Sequence, residues 1–101
     1  MVKQSFAEQV YKITAQIPKG KVATYRDIAH QLDCKAYRAV GQALNKNPYA
    51  PQVPCHRVIN SNGQLGGFAS GVKKKIQMLQ QEGIQIENKR ISLEKFGHQW
   101  S

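Results

Sequence analysis

Acidic side chains are scarce in this sequence. Six Asp and Glu stand against fifteen Lys and Arg, a formal net charge of +9. The excess runs the length of the chain, +5 over residues 1–50 and +4 over residues 51–101, so it is not a basic tail on a neutral body. Such a field favours a polyanionic partner, nucleic acid first and an anionic membrane surface second. Long apolar runs are missing: nothing approaches the ~18 residues a bilayer span requires. The start, Met1-Val2-Lys3-Gln4-Ser5, lacks the apolar stretch of a secretory signal. Cysteine is rare. Cys34 and Cys55 cannot make a disulfide scaffold, and no four-ligand Cys/His cluster has zinc spacing. The chain reads as intracellular, reduced and soluble. Its 101 residues, 41% hydrophobic and 21% charged, suffice for one modest core and exclude a mainly disordered chain. A single domain over residues 1–101 is expected.

What is present is dominated by helix signals. Phe6, Val10, Ile13 and Ile17 share one helix face, and Ser5 with Glu8 makes a capping-box pattern. Pro18-Lys19-Gly20 stops that helix. After a short extended piece, Lys21-Val22-Ala23, Thr24 with Asp27 caps a second helix, Tyr25 to Leu32. Asp33-Cys34 is a brief turn. A third helix, from Lys35 to Lys46, buries Ala36, Val40, Ala43 and Leu44. Two short helices joined by a tight turn make a helix-turn-helix candidate, although such pairs also serve as plain core. Pro48, Pro51 and Pro54 then impose a stiff, extended loop that delivers Cys55-His56-Arg57. Asn62-Gly63 is a hairpin signal, and the glycine-rich segment from Gly66 to Gly71 lets backbone approach a ligand. A last helix, Val72 to Glu82, sets Val72, Ile76 and Leu79 inward and Lys73-Lys74-Lys75 largely outward, and Gly83 ends it. Beyond it, Ile84/Ile86 and Ile91/Leu93 alternate like strands about an Asn88-Lys89 turn. The expected fold is mainly α with a small β hairpin, a winged helix-turn-helix domain.

Chemistry concentrates at Cys55. A thiol becomes a nucleophile as thiolate, which requires a base or a positive neighbour, and His56 and Arg57 follow it directly. On a strand adjacent side chains face opposite sides, so a bridging water would be needed. A buried structural cysteine is the competing reading, the common fate of a free thiol. His30 and Cys34 lie i, i+4 apart, but two ligands do not make a metal site, and both are taken as structural.

Pro54-Cys55-His56-Arg57-Val58-Ile59 resembles the active-site motif of the O6-alkylguanine-DNA alkyltransferases. The likeness extends to Ile17 through Tyr25, to Tyr37-Arg38-Ala39-Val40-Gly41-Gln42-Ala43-Leu44, to Asn45-Lys46-Asn47-Pro48, to Ser61 through Gly71 and to Leu79-Gln80-Gln81-Glu82-Gly83. It covers residues 4–84 in unbroken order. The resemblance implies that Cys55 accepts the alkyl group, that His56 takes its proton through water, and that Glu82 orients the imidazole. Glu82 at a helix C-terminus, where the dipole disfavours negative charge, already hints at such a duty. Asn47 would brace the active-site loop. Tyr25 would crowd the backbone phosphate, promote flipping and donate to the leaving guanine. Arg38 would replace the extruded nucleotide in the base stack, on a recognition helix whose Ala36, Ala39 and Gly41 suit a minor groove. Arg57 would add a DNA contact. The backbone at Cys55 and Val58 would read the base, with Phe68, Ala69 and Ser70 completing the lesion pocket.

The implied partner is double-stranded DNA containing O6-alkylguanine, with no cofactor, no metal and no membrane, handled by a monomer in the cytoplasm at the nucleoid, or in the nucleus of a eukaryote. Two departures bear on this. Members commonly carry Tyr where this chain has Phe68, and Ser-Gly where it has Ala69-Ser70. Many also carry an N-terminal domain, whereas short alkyltransferase-like proteins consist of this domain alone, replace the cysteine, and flag lesions for nucleotide excision repair proteins. This chain combines the short length with the cysteine. Suicidal alkyl transfer to Cys55 is therefore expected first and a lesion sensor second. A winged-helix transcription regulator would leave Cys55, His56 and Glu82 unexplained.

Overall fold

The computed structural model describes residues 5–49, 52–66 and 71–100. Phe68, Ala69 and Ser70 lie outside the described residues. The order is α1 (Phe6–Thr14), β1 (Ala23–Thr24), α2 (Tyr25–Gln31), α3 (Tyr37–Asn45), a 3-10 turn over Cys55–Arg57, β2 (Val58–Ile59), α4 (Val72–Gln81) and α5 (Leu93–Phe96). The protein is mainly helical with a small sheet, and α2 with α3 forms the helix-turn-helix.

Local chemistry sets most helix starts. Ser5 Oγ accepts from Glu8 N–H at 3.1 Å. At α2 the capping box is complete: Thr24 Oγ1 accepts from Asp27 N–H, and Asp27 Oδ2 accepts from Thr24 N–H, both at 3.0 Å. Helix α1 stops earlier than its apolar repeat suggests. Gln16 and Ile17 instead donate to Ile13 and Thr14, three residues back, a tighter turn that still buries Ile17. Thr14 takes an inward place because its hydroxyl donates to Val10 O at 2.7 Å, whereas Phe6 is 36% exposed. Ala36, expected in the core, is the exposed residue preceding α3.

The sheet differs from the hairpin expected. β1 and β2 pair in parallel, Ala23 with Val58 and Thr24 with Ile59. The Asn62-Gly63 turn is present, closed by Asn60 N–H to Gln64 O at 2.9 Å, and Gly63 at φ +88° is required there, since a Cβ would meet Ile91 O at 2.8 Å. Its outgoing side bridges Arg90 through Gln64 rather than continuing a long strand pair. Strand alternation divides the interior in two. Ala23 and Val58 join Val10, Ile17, Ile28 and Val40 beneath the first three helices. Val22 and Ile59 join Leu65, Leu79, Ile84 and Ile91 on the other side.

The tail is also corrected. Ser92 Oγ accepts from Lys95 N–H, and this cap starts α5 where strand-like alternation was expected through Leu93. The chain then runs beside β1, with Phe96 O accepting from Val22 N–H (2.9 Å) and His98 N–H donating to Val22 O (2.7 Å). No helix of the described residues is long and apolar enough to cross a membrane.

Candidate functional site

Asn47 holds the loop that ends at Cys55. Its Nδ2 donates to Val53 O at 2.8 Å, and its Oδ1 accepts from Tyr49 N–H at 2.9 Å. Cys55 N–H then donates to Val53 O, and Arg57 N–H to Pro54 O. These bonds wind Cys55, His56 and Arg57 into a 3-10 turn, so successive side chains are splayed by roughly a third of a turn rather than by the half-turn of a strand. Cys55 is half-buried at the fringe of the first core. Among the described residues no hydrogen bond joins it to His56.

His56 is buried. Its Nε2 lies 2.7 Å from Glu82 Oε2. Burial pulls its pKa below the ordinary 6.5, with the Glu82 hydrogen bond opposing that fall. A neutral imidazole donating Nε2–H to the carboxylate keeps the Nδ1 lone pair as an acceptor. Glu82 in turn collects Gly20 N–H at 3.1 Å, Arg57 Nε at 2.9 and 3.1 Å, and Arg57 Nη2 at 2.9 Å. Burial alone would raise its carboxyl pKa. The hydrogen bonds from Arg57, His56 and Gly20 outweigh that and hold it below the usual value.

Arg57, expected as a DNA contact, is half-buried in this set. Its guanidinium grips Glu82, and its Nη1 donates to Ile17 O at 2.9 Å, the fork geometry that suits a carboxylate. Lys75 corrects the sequence expectation. Read as part of a solvated run, it is fully buried, donating to Val58 O at 2.7 Å and Leu65 O at 2.6 Å. Burial brings its pKa down to about 8, opposed by the charge at Cys55. A helical wheel contains part of the signal, because Lys75 is four residues before the buried Leu79, whereas Val72, expected inward, is 40% exposed. Val58 O thus already accepts from Lys75, and Cys55 O from Val58 N–H. Each carbonyl keeps a second lone pair.

Tyr25 opens α2 half-buried, and burial followed by the charge at Cys55 raises its phenol above the ordinary value. Its ring faces Gly41, where an added Cβ would stand 3.9 Å from Cε1. Tyr25, Arg26, Tyr37, Arg38, Gly41 and the Asn60–Asn62 turn line a groove of about 460 Å³. Arg38, Ala36 and the half-buried Ala39 belong to the same helix start. The structure thus brings His56, Glu82 and Arg57 together, and separately Tyr25, Arg38 and Gly41. Among the described residues no group of three or more His, Cys, Asp or Glu could hold a metal ion.

Residues 5–84 match the family described as the 6-O-methylguanine DNA methyltransferase DNA binding domain. The methylated-DNA–protein-cysteine methyltransferase of Methanosarcina mazei is 50% identical over 78 residues, 76% of this chain and 49% of that protein. The chain spans about half the length of most of the curated relatives it matches, and 30% of a bifunctional methyltransferase/endonuclease of Picrophilus torridus. In three dimensions it is similar to S. pombe Atl1 in complex with damaged DNA containing O6-carboxymethylguanine, with a TM-score of 0.86, 30% identity, 99% of this chain and 100% of that one.

Proposed function

This chain belongs to the 6-O-methylguanine DNA methyltransferase family through its DNA-binding domain, and we propose that it repairs O6-alkylguanine in duplex DNA by moving the alkyl group onto Cys55. The observation that carries this reading is the buried His56–Glu82–Arg57 set next in sequence to a half-buried thiol. Arg38 fills the stack as the damaged nucleotide leaves it, and Tyr25 crowds the phosphate and meets the flipped base. Opening the pair costs a few kcal/mol, less for a damaged one.

The thiol proton passes through a water to the free nitrogen of His56, which burial keeps neutral and therefore able to accept it. Glu82, held ionised by Arg57 and Gly20, stabilises the imidazolium, the nucleophile–base–orienter logic of a triad. The sulfur attacks the alkyl carbon in line, the S–C bond forms and the C–O6 bond breaks. The electron pair stays on guanine, whose proton returns from the imidazolium while Tyr25 donates a hydrogen bond. The thioether has no leaving route, so the protein acts once.

The likeness to Atl1 over 99% of this chain favours a second reading, lesion binding without transfer, of the kind that would hand the site to nucleotide excision repair. A duplex carrying methyl-labelled O6-methylguanine separates the two. Transfer predicts label and the mass of one methyl on Cys55. Tight binding with the label left on DNA supports the second reading.

A further inference from the structure

A second groove, of about 380 Å³, lies between α2 and the C-terminal segment, beyond the residues 5–84 that carry the family match. Its lining is polar and includes one formal cation. Arg26 and His30 come from α2, His98, Gln99 and Trp100 from the tail, and one carboxylate, Asp27, lines it. That carboxylate is engaged with Thr24 N–H at 3.0 Å. The tail wall is fixed by the paired hydrogen bonds to Val22 and by Trp100 Nε1 donating to Gln16 Oε1 at 2.8 Å. The His98 and Trp100 rings meet edge to face at 4.6 Å.

This groove is continuous with the one beside Arg38. Arg26 and Ser61 line both. Across the boundary Arg26 sits 5.9 Å over the Tyr37 ring, and His30 packs edge-on to the same ring at 6.3 Å. A polar groove in which an arginine and a histidine meet one aromatic ring beside hydrogen-bonding amides fits a nucleic-acid backbone better than an apolar protein surface.

We propose that the α2–tail groove holds the sugar-phosphate backbone of the bound DNA beyond the flipped nucleotide, so that the tail lengthens the footprint of the lesion-binding face. This rests on the reading of DNA as the partner. It assigns residues outside the family match a duty in affinity and none in the chemistry of Cys55.

The test places charge in the groove at two exposed amides, Gln31→Glu with Gln99→Glu. The control puts the same two charges on α4, as Gln77→Glu with Gln80→Glu. Binding is measured on undamaged and lesion-bearing duplexes, in a short form and in one extended by about 10 bp, one helical turn, on each side. The groove pair is expected to weaken binding to the long duplexes about 10-fold or more at low salt and to lower the log–log salt slope by about 1 for each phosphate that is no longer neutralised. The α4 pair should cost under about 3-fold, since it acts only through the screened field. Gln31→Lys with Gln99→Lys should tighten the long duplexes. Methyl transfer from saturating short duplex should be unchanged, and that reading tests the Cys55 chemistry independently of the groove. Equal losses from the groove and α4 pairs, or equal losses on both lengths, overturn the proposal. No loss on any duplex also overturns it and leaves the groove to a protein partner. Unchanged unfolding midpoints for all variants keep folding out of the comparison.

Discussion

Arg38 on α3 and Arg57 in the 3-10 turn are the same side chain in two dielectric settings. Arg38 is exposed and, among the described residues, makes no hydrogen bond or ion pair. Arg57 is half-buried and directs Nε, Nη1 and Nη2 at Glu82 and at Ile17 O. The first keeps its charge available to a partner from outside. The second has exchanged water for fixed acceptors, so its charge acts on Glu82 and, through it, on His56. The contrast holds for the regions around them. The α2–α3 face carries cations on a solvated surface among small residues. In the cluster of His56, Arg57 and Glu82 the side chains are largely buried, and the carboxylate and the guanidinium neutralise each other. Surface charges contribute little to stability, while removing one member of a buried set leaves the other uncompensated.

Substitutions at Cys55 and in the cluster beside it should produce the largest effects. Cys55→Ala is expected to abolish methyl transfer while lesion-duplex affinity persists, as read by label transfer and by titration. Cys34→Ser, in the turn between α2 and α3, should leave both intact. Transfer that survives the first or disappears with the second reassigns the nucleophile.

Within the cluster, Glu82→Gln should slow transfer ~10²–10⁴-fold, the range of general acid–base effects. Arg57→Gln should slow it less, because His56 keeps its carboxylate partner. The pH profile separates the two. The rate should climb as His56 loses its proton, below the ordinary imidazole value of 6.5. Removing Glu82, which favours the protonated ring, should shift that limb to lower pH. Removing Arg57, which disfavours it, should shift the limb upward. Shifts of the same sign in both variants would show that Arg57 merely supports the local fold.

Lys75 tests the cost of burying a charge. Its folded pKa of about 8 lies below the ordinary 10.5. Between those values the unfolded chain binds more protons, so stability contributed at this site rises with pH in that window and is lower beneath it. Denaturant unfolding of the protein and of Lys75→Met should diverge by up to about 3 kcal/mol in favour of the unsubstituted chain as pH rises from 8 to 10.5. Parallel curves would place the ammonium in contact with water.

On the solvated face the expected effect is smaller. Arg38→Ala should weaken lesion-duplex binding by ~1–3 kcal/mol, the loss of a stacking group, with less effect on undamaged duplex and none on the unfolding midpoint. Equal losses on both duplexes would make Arg38 a phosphate contact only.

Several features are properties of neighbouring residues and were legible before any fold existed. Ser5/Glu8 and Thr24/Asp27 cap because the partners are three residues apart, within reach of one helical turn. The Asn62-Gly63 and Asn88-Lys89 turns are local, with Gly63 and Asn88, residue types that tolerate positive φ, and then Lys89 in that region. The basic character of the α2–α3 face follows from composition, and the Cys55-His56-Arg57 run with its proline loop marked the candidate site. What the tertiary structure decided is which of these groups meet. His56 reaches Glu82 across 26 residues, Arg57 reaches Ile17 O across 40, and Gly20 reaches Glu82 across 62. Lys75 looked like a solvated charge because its sequence neighbours are lysines, and only the approach of Val58 O and Leu65 O supplied acceptors that make its burial tolerable. The parallel pairing of Ala23 with Val58 and Thr24 with Ile59 joins segments 35 residues apart, which no hairpin signal announces. Electrostatics and hydrogen bonding depend on distances in space, and over such separations the order of residues does not specify them until the two cores have closed around the sheet.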